Sequence, residues 1–174
     1  GAKLLYLANP DNPMGTWHKA ETIEWLIAAL PPETVLILDE AYADTAPQEA
    51  IPAMDVSHPR VIRMRTFSKA YGLSALRVGY GVGAEEIISV LARLRPPFSI
   101  STPALKAAEV AFQDTAFTQS VVEKNKTERE RMAKAYDELG LLACPSHANF
   151  LLIDTSKIGQ DPNDLFTAYQ KQGV

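Results

Sequence analysis

The sequence predicts an α/β fold: a mostly parallel sheet flanked by helices, followed by the start of a small α+β domain. Three observations carry the prediction. Short apolar runs alternate with segments of helical period. The run Val35-Leu36-Ile37-Leu38 is continuously apolar, as strands covered on both faces are. Proline and glycine clusters fall between the elements, where neither a helix nor a ladder continues. Strand, helix, strand and a long connection to a further strand is the order that right-handed crossovers turn into a parallel sheet.

The elements follow in order. Residues 3–9 read as a strand that stops at Asn9-Pro10-Asp11-Asn12-Pro13-Met14-Gly15. From Thr16, a suitable N-cap, Ala20, Ile23, Ile27 and Leu30 recur at helical spacing until Pro31-Pro32. The strand 35–38 closes on Asp39-Glu40. Residues 61–66 alternate Val61, Arg63, Arg65 with Ile62, Met64, Thr66, so one side of that strand is charged or is covered by something anionic. Residues 78–82 form a further strand among Gly72, Gly79, Gly81 and Gly83, and 84–94 a helix. After Pro96-Pro97, Pro103 opens a helix over 104–112, and a long helix covers 115–139. The middle of that helix is polar, as in helices that bridge domains through solvent. Residues 149–153 read as a strand and 161–172 as a helix ending at Gly173, with the next strand beginning at Val174. The resulting division is 1–114, the carboxyl-terminal part of a large domain; 115–139, an interdomain helix; and 140–174, an incomplete small domain.

Composition narrows the function. The 174 residues are 47% apolar and 22% charged, values of ordinary globular chains. Seventeen basic against 21 acidic residues, with no basic block, give no footprint for a phosphate backbone, so no nucleic-acid partner is expected. One cysteine, Cys144, and three scattered histidines offer no metal-ligand spacing, and a reducing, cytoplasmic setting fits. No apolar run approaches the roughly 20 residues that span a bilayer, so no membrane partner is expected.

Several residues could carry chemistry. Lys69 follows a strand, between the hydroxyls of Thr66 and Ser68 and a glycine-rich turn, where a phosphate could sit beside an amine; a solvated loop lysine fits as well. Asp39, at the end of an apolar strand, should be largely desolvated and in need of a cation or strong donor. A protonated ring nitrogen, a nearby arginine, a helix cap and a magnesium-binding strand end are all open to it. The last requires a Gly-x-x-x-x-Gly-Lys-Ser/Thr loop, which the chain lacks. Tyr42 is either a donor into the same pocket or a core tyrosine, and Asn12 an amide donor or an Asx turn. Arg77 could grip a phosphate with two parallel hydrogen bonds.

Taken together, Asn9-Pro10-Asp11-Asn12-Pro13-Met14-Gly15, Leu38-Asp39-Glu40-Ala41-Tyr42 and Thr66-Phe67-Ser68-Lys69-Ala70-Tyr71-Gly72-Leu73-Ser74-Ala75-Leu76-Arg77-Val78-Gly79-Tyr80 resemble three ordered signatures. They are those of the fold-type I pyridoxal-phosphate aminotransferases (class I/II), most like the histidinol-phosphate branch. Ser101-Thr102-Pro103 and Ala148-Asn149-Phe150-Leu151 resemble the same family, and the likeness covers essentially the whole chain.

The resemblance implies pyridoxal 5′-phosphate as cofactor. Lys69 would bind it covalently and shuttle the proton between substrate Cα and cofactor C4′. Asp39 would hold the pyridine nitrogen protonated, Asn12 and Tyr42 would donate to the phenolic oxygen, and Thr66, Ser68 and Arg77 would bind the phosphate. Ala41 would be small because the ring lies against it. Met14 stands where threonine is usual. The phosphate-binding turn with its ring-stacking aromatic is expected upstream of Gly1, and the arginine for the substrate carboxylate downstream of Val174, so the chain reads as a fragment, inactive alone. The implied activity is transamination between histidinol phosphate and 2-oxoglutarate in a homodimer. The alternatives are an aromatic or other class I/II aminotransferase, a threonine-phosphate decarboxylase and a cofactor-sensing regulator domain.

Overall fold

The computed structural model describes residues 1–173; the strand expected to begin at Val174 lies outside the described residues. One sheet has the order β1-β2-β3-β4. β1 (Leu4–Ala8), β2 (Val35–Asp39) and β3 (Val61–Thr66) run parallel, and β4 (Gly79–Gly83) runs antiparallel to β3. The last strand thus lies one residue later than the expected 78–82. At Gly79 a Cβ would stand 2.7 Å from the Arg65 carbonyl oxygen, which explains a glycine where the two strands approach.

Register decides which side chains share a face. Ala8 pairs with Asp39 and Tyr6 with Ile37, while Asp39 pairs with Met64. Because side chains alternate along a strand, Tyr6, Asp39 and Met64 project from one face and Leu5, Leu7, Leu36 and Leu38 from the other. α1 (Ala20–Ala28) covers that second face. Ile23, Leu30, Leu36, Leu38 and Val61 form its buried cluster, with Leu5, Leu7 and Ile27 against it, each such side chain stabilising the fold by about 1.5–3 kcal/mol. The expectation that β2 is covered on both faces holds on this side only. Val35 and Ile37 are half-buried, and Leu4 and Tyr6 on the neighbouring strand are exposed.

α1 begins at Ala20, with Lys19 at its N-cap and no side chain capping it, rather than at Thr16. The buried Asn9 side chain accepts the His18 N–H at 2.8 Å and donates to the His18 carbonyl at 3.1 Å, and the Thr16 carbonyl accepts the Asp11 N–H. Those bonds tie this segment to the loop after β1 and delay the helix.

A second cluster, Phe67, Val78 and Ala108 with Tyr71 and Tyr80, joins the end of β3 to α3 (Thr102–Gln113). Ser101 Oγ accepts the Ala104 N–H, and Pro103 sits in the first turn of α3, as the sequence predicts. α2 (Glu85–Leu94) packs on β4. α4 (Thr115–Glu138) is capped by Asp114 and has no buried residue, consistent with its polar middle. α5 (Pro162–Lys171) is capped by Asp161 and is followed by Gly173 at φ +80°.

The strand expected over 149–153 does not form. Only a bridge between Leu142 and Ile153 is present. The upstream backbone is committed elsewhere: Ser146 Oγ donates to the Phe150 carbonyl and accepts the Ala148 N–H, and the Ala148 carbonyl accepts from Asn125 and Arg129 on α4. Next to the bridge the Ala143 N–H donates to the Leu152 carbonyl and the Asp154 N–H to the Leu141 carbonyl, so the pairing stays at this one short antiparallel contact.

Candidate active site

The loop after β1 is shaped by its first residue. Asn9 Nδ2 donates to the Ala50 carbonyl at 2.9 Å as well as to that of His18, and the loop closes with the Gly15 N–H on the Asp11 carbonyl. Gly15 has φ +75°, and a Cβ there would run into Ser146. This turn carries Asn12 over the carboxyl end of β2, where open parallel sheets bind ligands.

A cleft of about 350 Å³ opens at that end, lined by Tyr6, Ala8, Pro10, Asn12, Asp39, Ala41, Tyr42 and Lys69. Four of the seven residues singled out in the sequence therefore meet in one place, although they lie in three separate segments. Asn12 Nδ2 donates to the Tyr42 hydroxyl at 3.4 Å. Lys69 Nζ stands 5.0 Å from the centre of the Tyr42 ring, within cation–π range. Tyr42 is buried, with Phe150 edge-on at 5.3 Å, so its body packs in the core while its hydroxyl reaches the cleft. The hydroxyl accepts from Asn12 there, and the ring packs as a core tyrosine does.

Asp39 is half-buried rather than largely desolvated. Its Oδ1 accepts the Ala41 N–H at 2.9 Å and its Oδ2 accepts the Tyr6 hydroxyl at 2.5 Å. The hydrogen bond to Asp39, then burial, then the charge of Asp39 push the Tyr6 phenol up to about 12. No arginine pairs with Asp39 among the described residues. Arg63 and Arg65 bind Glu40 instead, and Glu40 is the anion that the charged side of β3 called for.

The other three candidates gather beside Lys69. Thr66 Oγ1 accepts the Ser68 N–H at 3.0 Å, and Arg77 Nη1 donates to the Ser68 hydroxyl at 3.4 Å and to the Ser74 carbonyl at 2.7 Å. Arg77 has φ +52° and is exposed, which leaves most of its guanidinium donors free for an anion. Sequence reasoning missed Tyr6, Ala8 and Phe150. The first two share the Asp39 side of the sheet only through the β1–β2 register, and Phe150 arrives from a segment 108 residues beyond Tyr42.

Among the described residues no group of three metal-ligating side chains is arranged to hold an ion, and no helix is long and apolar enough to cross a membrane. What remains is an open α/β sheet whose strand ends carry an ammonium, a carboxylate, an amide and a phenol around one cleft. The family model described as aminotransferase class I and II matches residues 1–166, and the chain belongs to that family. It is 40% identical over 177 residues to a histidinol-phosphate aminotransferase of Geobacillus thermodenitrificans, covering 99% of this chain and 47% of that protein. It is 39% identical to one of Nitrosococcus oceani, covering 90% and 43%. A crystal structure of histidinol-phosphate aminotransferase from Sinorhizobium meliloti in complex with pyridoxal 5′-phosphate superimposes with a TM-score of 0.83 at 41% identity, covering 86% of this chain and 41% of that one. The chain thus spans less than half the length of these relatives.

Proposed function

We propose that this chain holds the cofactor-binding centre of a pyridoxal 5′-phosphate-dependent aminotransferase that exchanges the amino group between histidinol phosphate and 2-oxoglutarate, as a cytoplasmic homodimer. The observation that carries the reading is the convergence of Asn12, Asp39, Tyr42 and Lys69 on one cleft. The amino donor is supported by the relatives, which are named for histidinol phosphate.

The donor set fits the cofactor. The cleft lies within the ~300–1,000 Å³ range of small-molecule sites, and Ala8 and Ala41 leave its lining low enough for a flat ring. Bound there, pyridoxal 5′-phosphate supplies an electron sink for the bond broken at the substrate Cα. The residues divide the remaining work. Lys69 Nζ would be the covalent anchor for the cofactor and the base that takes and returns the proton at the substrate Cα. Asp39 would set a carboxylate against the ring nitrogen, Asn12 and Tyr42 would donate to the phenolic oxygen, and Thr66, Ser68 and Arg77 would hold the phosphate, Arg77 through its guanidinium fork. The reading divides the chain at 1–114, 115–139 and 140–174, and residues 1–174 alone are expected to give no turnover.

The test uses the full-length protein that carries these residues. With pyridoxal 5′-phosphate it should show a visible absorbance band that Lys69→Ala abolishes, and borohydride reduction followed by peptide mapping should find the label on Lys69. Turnover of histidinol phosphate with 2-oxoglutarate should exceed that of aromatic amino acids. Absence of both band and label in the wild type would overturn the reading.

A further inference from the structure

We propose that Tyr6 is a positioning residue for the carboxylate of Asp39, fixing it in the orientation that meets the ring nitrogen of the cofactor. The inference rests on the cofactor reading above. Tyr6 and Asp39 lie on adjacent parallel strands, two register positions apart and so on the same face of the sheet. The Tyr6 hydroxyl donates to Oδ2 at 2.5 Å, and the Ala41 N–H donates to Oδ1 at 2.9 Å. Each oxygen is therefore held by a donor from a different segment, which stops rotation of the carboxylate about its last torsion. An ionised carboxylate accepts about four hydrogen bonds, so lone pairs remain on both oxygens for a ligand in the cleft.

Within the described residues packing does not account for Tyr6. Its relative exposure is 59%, and it belongs to neither buried cluster, whereas its neighbours Leu5 and Leu7 pack into the core from the opposite face. Its contact here is made by its polar tip, on Asp39. That tip remains a donor across the neutral range, since the phenol is pushed up to about 12. Groups that orient a binding residue through a hydrogen bond commonly act on ligand affinity as strongly as some direct contacts do.

The experiment compares full-length wild type with Tyr6→Phe, which keeps the ring and deletes the donor. Two ligands are titrated, pyridoxal 5′-phosphate and its 1-deaza analogue, which has no ring nitrogen. Tyr6→Phe should weaken binding of the first by roughly 10-fold and leave the second within about twofold. In an Asp39→Asn background the same substitution should have no further effect on either ligand. Equal weakening of both ligands would assign Tyr6 a structural role, and no weakening of either would deny it any role; each overturns the proposal. If wild type binds pyridoxal 5′-phosphate and Tyr6→Phe is silent, the cofactor reading survives and this inference alone falls. If wild type does not bind it, both fall.

Discussion

Glu40 and Arg63 are joined by two hydrogen bonds in the buried core, Nη2 to Oε1 at 2.5 Å and Nε to Oε2 at 3.0 Å. Arg65 Nε adds a third, to the same Oε2, at 3.0 Å. The remaining Arg63 donors reach the carbonyls of Pro52 and Ala53. The cluster ties the end of β2, immediately after Asp39, to the middle of β3, and so holds the edge on which the cleft is built.

Removing the negative charge from that cluster leaves a buried guanidinium without compensation. Glu40→Gln is expected to lower the unfolding free energy by about 3–5 kcal/mol, read from urea denaturation of the full-length protein. A loss below about 1 kcal/mol, the worth of an exposed pair, would show that the arginines are solvated.

Gly15 serves two purposes, so its replacement carries two costs. Gly15→Ala forces an L side chain into the left-handed region, at about 1–2 kcal/mol, and drives a Cβ into Ser146, at about 1–3 kcal/mol. Ser146→Gly alone loses the Ser146 Oγ hydrogen bonds to Phe150 and Ala148, so the contact is read from a double-mutant cycle: Gly15→Ala should cost less in the Ser146→Gly background than in the wild type. Thermal unfolding of the two single variants and the double variant measures the coupling, and a coupling of zero would mean that the contact is not made.

Tyr6 predicts an alkaline transition. Its phenol lies above the ordinary 10.0 because of the bond to Asp39. A group raised on folding favours the native state fully below pH 10, and that contribution is lost as pH rises from 10 to about 12. The difference in phenolate absorbance between wild type and Tyr6→Phe should titrate near 12, and the same difference in an Asp39→Asn background should return toward 10. A Tyr6 titration already at 10 in the wild type would refute the hydrogen bond.

His147 predicts the opposite limb. Burial, and then the charge of Arg129, push its imidazole below 6.5, so the fold favours the neutral ring. Its contribution is present above pH 6.5 and is lost as pH falls through the native value. Imidazole NMR shifts should place the midpoint below 6.5, and His147→Gln should flatten the acid limb of stability. A midpoint at or above 6.5 would contradict the burial of the ring beside Trp17 and the influence of the Arg129 charge.

Much of this protein was legible in order along the chain. Apolar period located β1, α1, β2 and β3 to within a few residues, because the core selects hydrophobic side chains wherever an element turns inward. The polar run within residues 115–139 marked a long helix that buries nothing. Three short motifs pointed to Asn12, Asp39, Tyr42 and Lys69 before any geometry was known.

Tertiary structure decided the rest, for reasons that no local pattern contains. Whether Arg63 and Arg65 faced solvent or an anion depended on Glu40 arriving from another strand. The start of α1 was set by Asn9, nine residues before His18, and the strand expected over 149–153 was reduced to the bridge between Leu142 and Ile153. Tyr6 was invisible as a site residue because its partner lies 33 positions away. Residue types and spacing determined which elements form and which chemistry is available. Strand register and side-chain hydrogen bonds across the chain determined which of those groups face one another, since contacts between distant segments exist only once the sheet has closed.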